Sequence, residues 1–183
     1  MSARANSKLR ILALALTVGA LVVALIAPAT ASACADEGAD PSSASLKKIE
    51  RATHCLINKQ RGRRGVNKLE RSAKLDQAAV GHSRDMAAKN FFSHDGVGGS
   101  LVDRIDHTGY LASSGWTVGE NIAWGSGERA TPGAIVKAWM NSPGHRDNIL
   151  RSSFKDIGIG VARGAPTGGV DDAAVYTTDF GRH

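Results

Sequence analysis

The spacing of hydrophobic residues changes along this chain from a helical to a strand-like period. Leu46, Ile49, Thr53, Leu56, Ile57 and Gln60 follow the spacing of three or four residues that places side chains on one face of an α-helix. A second stripe with the same spacing predicts a helix over about residues 71–89. We expect each helix to pack its apolar face against a core.

The second half of the chain is typical of strands with one helix between them. Residues 116–124 alternate, with Val118, Glu120, Ile122 and Trp124 on one face. Proline suits the first turn of a helix, so a further helix is expected to begin at Pro132. Two apolar runs near the C-terminus predict a hairpin. This order of elements predicts an α+β fold, with an antiparallel sheet covered by helices.

The first 33 residues differ in pattern from the rest. Three basic residues precede an apolar run over residues 11–26, and two Ala-x-Ala sites follow it. This is the pattern of a secretory signal peptide, and the apolar run is short for a membrane span. We expect a secreted mature protein with no membrane span, consisting of a tail over residues 34–45 and one domain over residues 46–183.

The chain contains two cysteines, Cys34 and Cys55. Disulfides persist in exported proteins, and a bond between these two would fasten the tail to the first helix. The alternative is a lipid anchor on Cys34, which cleavage after Ala33 would leave as the first residue. Ala31 departs from the usual lipoprotein pattern, so we favour the disulfide.

The charge of the chain does not support a nucleic-acid partner, and it excludes few other partners. The formal net charge is +6, but removing the three basic residues of the leader lowers it to about +3. Residues 59–71 remain locally basic and contain no aromatic residue on which a base could stack. This run is either a solvated loop, which we favour, or a contact for anionic envelope polymers or lipid head groups.

The first candidate for chemistry is the turn Ser142-Pro143-Gly144-His145. Ser142 is expected to be the N-cap of a short helix and Pro143 its first residue. His145 would then lie in the first turn, where the positive end of the helix dipole disfavours a protonated imidazole. A metal site or a general base requires the neutral form.

Two further polar residues stand out. Glu120 lies on an otherwise apolar strand face, so its carboxylate must be paired, be protonated or line a cleft, unless strand twist exposes it. His94 follows the second helix, and Asp95 could orient its imidazole. His82, on the helical stripe, is expected to be a satisfied core residue. The sequence contains no Gly-x-Ser-x-Gly or His-Glu-x-x-His motif.

Six ordered segments resemble the CAP superfamily of cysteine-rich secretory proteins, antigen 5 and pathogenesis-related proteins, and above all its short secreted bacterial members. The segments span about residues 46–181 and read LINKQRGRRGVNKLERSAKLDQAA, HSRDMAAKNFFSHDG, GENIAWG, IVKAWMNSPGHRDNIL, FKDIGIGVA and TTDFG. The resemblance implies a three-layer α-β-α sandwich with a central, mainly antiparallel sheet. It also implies a cleft of two histidines and two glutamates, in which the histidines can hold a divalent cation such as zinc.

The resemblance assigns His94, Glu120 and His145 to this cleft. Ser142 stands where many eukaryotic members carry the second glutamate, so a mechanism that needs two glutamates is not expected. His94 and His145 are the metal candidates. Glu120 is either a third ligand or a group that polarises a bound water.

Three functions are compatible with these residues, because fold and motif do not fix chemistry. The first is binding of an extracellular ligand, such as a lipid or a cell-envelope polymer, in the cleft of His94, Glu120, Ser142 and His145. The second is a metal-assisted extracellular hydrolase acting on proteins or the cell wall, with Glu120 or His145 as catalytic base. The third is a structural network without catalysis. We rank binding first and expect a monomer.

Overall fold

The computed structural model describes residues 34–111 and 114–183. The expected signal peptide falls on residues 1–33 and lies outside the described residues. In chain order the elements are α1 (Leu46–Gly62), β1 (Glu70–Arg71), α2 (Ala73–Lys89), α3 (Leu101–Asp106), β2 (Thr117–Ser126), a 3-10 turn (Gly127–Ala130), α4 (Pro132–Asn141), α5 (Pro143–Leu150), β3 (Asp156–Arg163) and β4 (Ala173–Arg182). None of these helices is long and apolar enough to cross a membrane.

The strands form one sheet in the order β1-β3-β4-β2. β4 pairs antiparallel with both β2 and β3, as the expected hairpin and antiparallel sheet require. The two-residue strand β1 pairs parallel with β3, so the sheet is mixed. Two residues are too few to show an alternating pattern, and this strand was not expected. Because residues 70–71 belong to it, α2 begins at Ala73, with the Ser72 hydroxyl accepting from Leu75 N–H.

Helices cover both faces of the sheet. α2 packs on one face, where Gly158 and Gly160 of β3 lie against its backbone at Leu75 and Ala79. A side chain at either glycine would hold the helix away from the sheet. α1, α4 and α5 cover the other face and share the largest buried apolar cluster with β3 and β4. The three-layer α-β-α sandwich is confirmed.

The segment before α1 is fastened to the domain at several points. Cys34 forms the expected disulfide with Cys55 of α1 and is itself buried. The carbonyl of Glu37 accepts a hydrogen bond from Gly133 N–H, and Arg163 donates to the carbonyl of Pro41. Residues 34–45 therefore pack as part of the domain.

Candidate functional site

Glu120 of β2 occupies the centre of a polar network. Its Oε1 accepts a hydrogen bond from His94 Nδ1 at 2.7 Å, and its Oε2 accepts one from Arg104 Nη2 at 2.6 Å. Only 6% of the residue is exposed. Burial alone would raise the pKa of Glu120, but the hydrogen bond from His94 and the charge of Arg104 outweigh it and hold the pKa below its ordinary value. The carboxylate on the apolar strand face is therefore a paired one.

Arg104 is the residue of this network that sequence reasoning missed. It belongs to α3, which begins with a reciprocal capping box between Ser100 and Asp103. Besides Glu120, its Nη1 donates to the carbonyl oxygens of His94 at 2.8 Å and Gly99 at 3.0 Å. One guanidinium thus ties α3 to the loop that carries His94 and to β2. A six-residue helix with alternating charges gives no local sign that one arginine turns inward.

His94 is oriented by Glu120. The expectation that Asp95 would do this is wrong, because Glu120 takes the imidazole Nδ1 and the Asp95 residue is exposed. The hydrogen bond to Glu120 raises the pKa of His94 above its ordinary value, although partial burial opposes it. The His94 side chain is 56% exposed, and in the described part of the chain its Nε2 has no hydrogen-bond partner.

His145 lies in the first turn of α5, as the sequence predicted. Its pKa is lowered, which favours the neutral imidazole, but the causes are burial and then the charge of His94. The α5 backbone is held to β2 by two amides: Asn121 Nδ2 donates to the His145 carbonyl at 3.0 Å, and Asn148 Nδ2 donates to the Glu120 carbonyl at 3.1 Å.

Ser142 begins α5 but does not cap it with its side chain. The expected capping role of its hydroxyl is wrong, because no helix N–H donates to that oxygen. Its main chain is instead fixed from both sides: Ser142 N–H donates to Trp139 at the end of α4, and its carbonyl accepts from Arg146 N–H. Proline at the next position is sufficient to start the helix.

Two more titratable side chains lie near Glu120. His82 Nε2 contacts the Ser93 carbonyl at 2.9 Å and lies 4.0 Å from Glu120 Oε2, so it is the satisfied core histidine that the sequence indicated. Asp179 of β4 is directly opposite Glu120 and is fully buried. Among the described residues neither of its carboxyl oxygens has a hydrogen-bond partner. Burial, and then the charge of Glu120, raises the pKa of Asp179 well above its ordinary value.

His94 and His145 are the two side chains of the predicted cleft that could donate to a metal. No cluster of three His, Cys, Asp or Glu side chains suited to a metal occurs within residues 34–111 and 114–183. Both oxygens of Glu120 are already engaged, so we assign it to orienting His94. A carboxylate that holds Nδ1 fixes the tautomer and leaves Nε2 as the donor for a metal.

The fold defines a class: an α-β-α sandwich in which a buried glutamate pairs with Arg104 and holds the His94 imidazole. The profile of the cysteine-rich secretory protein (CAP) family matches residues 55–180, and the chain belongs to this family. The resemblance seen in its sequence is thereby confirmed.

Two curated relatives from Bacillus subtilis are similar to the chain. The uncharacterised protein YkwD is 37% identical over 155 residues, which cover 84% of this chain and 54% of YkwD. The uncharacterised membrane protein YlbC is 38% identical over 111 residues, which cover 59% of this chain and 30% of YlbC. The chain therefore spans about half, or less, of the length of these relatives.

Two solved structures are similar as well. An extracellular protein from Bacillus anthracis that contains an SCP domain superposes with a TM-score of 0.60 at 30% identity, covering 76% of this chain and 44% of that one. An outer surface protein from Borrelia burgdorferi gives a TM-score of 0.64 at 20% identity, covering 76% of this chain and 96% of that one. The second likeness supports the fold alone.

Proposed function

We propose that the domain binds an extracellular ligand or envelope component in the cleft of His94, Glu120, Ser142 and His145, with a divalent cation such as zinc held by His94 and His145. One observation carries the proposal: one carboxylate oxygen of Glu120 accepts a hydrogen bond from His94 Nδ1, and the other accepts one from Arg104. Because the buried carboxylate holds the imidazole in one orientation before a ligand binds, little conformational entropy is lost on binding.

The electrostatics of the two histidines support metal binding over binding of a simple anion. His145 favours the neutral form, which is the form that coordinates a metal. His94 must lose the proton that Glu120 stabilises before its Nε2 can coordinate. Metal affinity is therefore expected to rise with pH through the raised pKa of His94. A bound cation would supply electrostatic attraction for anionic groups of a ligand.

An extracellular location is part of the proposal. The disulfide between Cys34 and Cys55 fits an oxidising compartment, and the Bacillus anthracis relative is described as an extracellular protein. The leader pattern of residues 1–33 agrees with export. A lipid anchor on Cys34 would compete with the disulfide, since one sulfur cannot do both.

Calorimetric titration with zinc tests the cation site. We expect binding by the wild type at pH 7.5, and a loss of at least about tenfold in affinity for His94→Ala and for His145→Ala. His107→Ala, which removes an exposed histidine outside the cleft, is the matched control and should bind as the wild type does. Absence of zinc binding by the wild type, or equal binding by all three variants, would reject the site.

The neutral His145 also favours a second function, metal-assisted hydrolysis. An imidazole with a lowered pKa beside the cleft can act as a general base toward a bound water. Ser142 is not part of this alternative, because in the described contacts its hydroxyl has no hydrogen bond to an imidazole. Peptide, ester and cell-wall substrates should be screened with His145→Ala as the control. Turnover that persists in this variant would exclude His145 as the base.

A further inference from the structure

Basic side chains are concentrated on two loops at one end of α5. Five basic residues on these loops are exposed: Arg63, Arg64 and Lys68 after α1, and Arg151 and Lys155 between α5 and β3. Residues 61–69 and 148–155 contain no Asp or Glu, and the acids that border them are Glu70, Asp147 and Asp156. Within the described part of the chain none of the five forms an ion pair, the nearest pairs in sequence being those of Arg71. We call these five residues the basic surface.

A buried guanidinium joins the two loops. Arg61 Nε donates to the carbonyl of Asn67 at 2.6 Å, and its Nη1 donates to those of Ile149 at 2.7 Å and Arg151 at 3.0 Å. Its Nη2 reaches the Phe154 carbonyl at 3.3 Å. The expectation of a solvated loop over residues 59–71 is therefore wrong for Arg61, which is fully buried because these four carbonyls satisfy it. The loops are held together as one surface.

The composition of this surface indicates the kind of partner. Large exposed hydrophobic side chains of the described residues lie elsewhere: Phe92, Val97, Val102, Trp116 and Trp124. A surface without such side chains lacks the anchor that inserts into a lipid interface. It also lacks the aromatic rings on which nucleic-acid bases stack. What remains is charge alone, which suits a flexible polymer with repeating phosphate groups.

We propose that the basic surface binds a linear polyanion with repeating phosphate groups, separately from the cleft. α5 has eight residues and is about 12 Å long, with His145 in its first turn and Arg151 directly after its end. The basic surface therefore lies about one helix length from His145, and a polymer bound to it would hold the predicted cleft close to that polymer. Binding of the polyanion is expected whether or not zinc is bound.

Fluorescence anisotropy with labelled long-chain polyphosphate tests the proposal. Five phosphate contacts predict a fall in affinity of about 100-fold between 50 and 200 mM salt, from the slope of about −0.7 per contact for single strands. The triple variant Arg63→Gln, Arg64→Gln, Lys68→Gln should reduce that slope by about 2. The matched control, Lys47→Gln, Lys48→Gln, Lys137→Gln, removes the same charge from exposed helix positions and should keep the wild-type slope.

A second variant and a comparison with lipid vesicles complete the test. Arg151→Gln with Lys155→Gln should weaken polyphosphate binding as well, because both loops contribute. Vesicles of anionic phospholipid should bind more weakly than polyphosphate at equal phosphate concentration. Absence of polyphosphate binding, equal losses in the two triple variants, or binding to vesicles alone would overturn the proposal. The last result would indicate a membrane surface instead. Zinc calorimetry on the same variants should remain unchanged.

Discussion

Glu120 and Asp179 lie directly opposite each other on neighbouring antiparallel strands, and both carboxyl groups are buried. Glu120 has Arg104 and His94 as partners, whereas the Asp179 oxygens have no partner among the described residues. Two adjacent buried carboxylates would repel each other strongly. The neutral form of Asp179 relieves this repulsion and allows the ionised Glu120 to keep its two partners.

Replacing Asp179 with Asn tests whether this carboxyl is neutral. Because the pKa of Asp179 is raised on folding, the wild type loses stability as pH rises above the ordinary value near 4 toward the folded pKa. Asp179→Asn removes this dependence and should be the more stable protein at pH 7. The difference should grow with pH by up to about 1.4 kcal/mol per unit. Urea unfolding between pH 4 and 7 measures it, and a constant difference would contradict a neutral Asp179.

Replacing Arg104 should leave Glu120 as an uncompensated buried charge. Arg104→Met keeps much of the apolar stem but removes the 2.6 Å contact and the ties to two loop carbonyls. We expect a loss of about 3 kcal/mol in the free energy of unfolding at pH 7. Arg84→Met, on the exposed side of α2, is the control and should change stability by less than about 0.5 kcal/mol. Similar values for the two variants would mean that Arg104 does not pair Glu120.

The protonation of the two cleft histidines should depend on Glu120. Its hydrogen bond raises the pKa of His94, and the resulting charge lowers the pKa of His145 further than burial alone. In Glu120→Gln the pKa of His94 should fall and that of His145 should rise, as followed by NMR titration of the imidazole protons. Stability due to the His94 interaction is present below pH 6.5 and lost as pH rises through the raised pKa. Titration curves that Glu120→Gln leaves unchanged would show that Glu120 does not control either ring.

Close approach of α2 to the sheet should make Gly160 intolerant of a side chain. A Cβ at this position would meet the α2 backbone at Ala79 and Val80, which cannot rotate away. Gly160→Ala is expected to cost about 2 kcal/mol or more, as overpacking does in tight cores. Gly81→Ala, in α2 itself but facing open space, should instead stabilise by up to about 1 kcal/mol. Thermal unfolding of both variants separates packing from backbone effects, and equal stability changes would refute the close approach.

The disulfide should contribute substantially to stability. Cys34 and Cys55 are 21 residues apart, and closing a loop of this size stabilises by about 3 kcal/mol in the chain-entropy model. The double variant Cys34→Ser, Cys55→Ser should lose about this amount in urea unfolding. The wild type under reducing conditions is the parallel comparison. No loss in either would mean that the contacts of residues 34–45 hold this segment without the bond.

Helix and strand periods, proline positions and the likeness of six segments were sufficient to predict most elements, and they supplied three candidates for the site. His94, Glu120 and His145 are visible because each is out of place in its own surroundings: two in turns and one on an apolar strand. A shared cleft for the three residues is implied only by the resemblance, because it depends on three separate elements.

Arg104 and Asp179 could not be found in the same way. From the sequence, Arg104 has the pattern of a surface residue on a short helix. Its side chain is buried because it pairs with Glu120, which belongs to another element. Asp179 lies in an apolar strand, and its burial follows from the covering helix α2 and the register with β2. Ser142 differs from both, because its position before a proline indicated a capping hydroxyl that the structure does not use. Main-chain hydrogen bonds fix the start of α5 without that hydroxyl.

In the proposed site His94 and His145 hold a cation while Glu120 orients His94. Nitrogen-15 NMR of the histidine side chains during zinc titration examines this arrangement at the level of atoms, since it reports which ring nitrogen binds. We expect Nε2 of His94 and one nitrogen of His145 to shift together, with Nδ1 of His94 still protonated and hydrogen-bonded to Glu120. Zinc-dependent shifts confined to other histidines, or binding through Nδ1 of His94, would contradict this account.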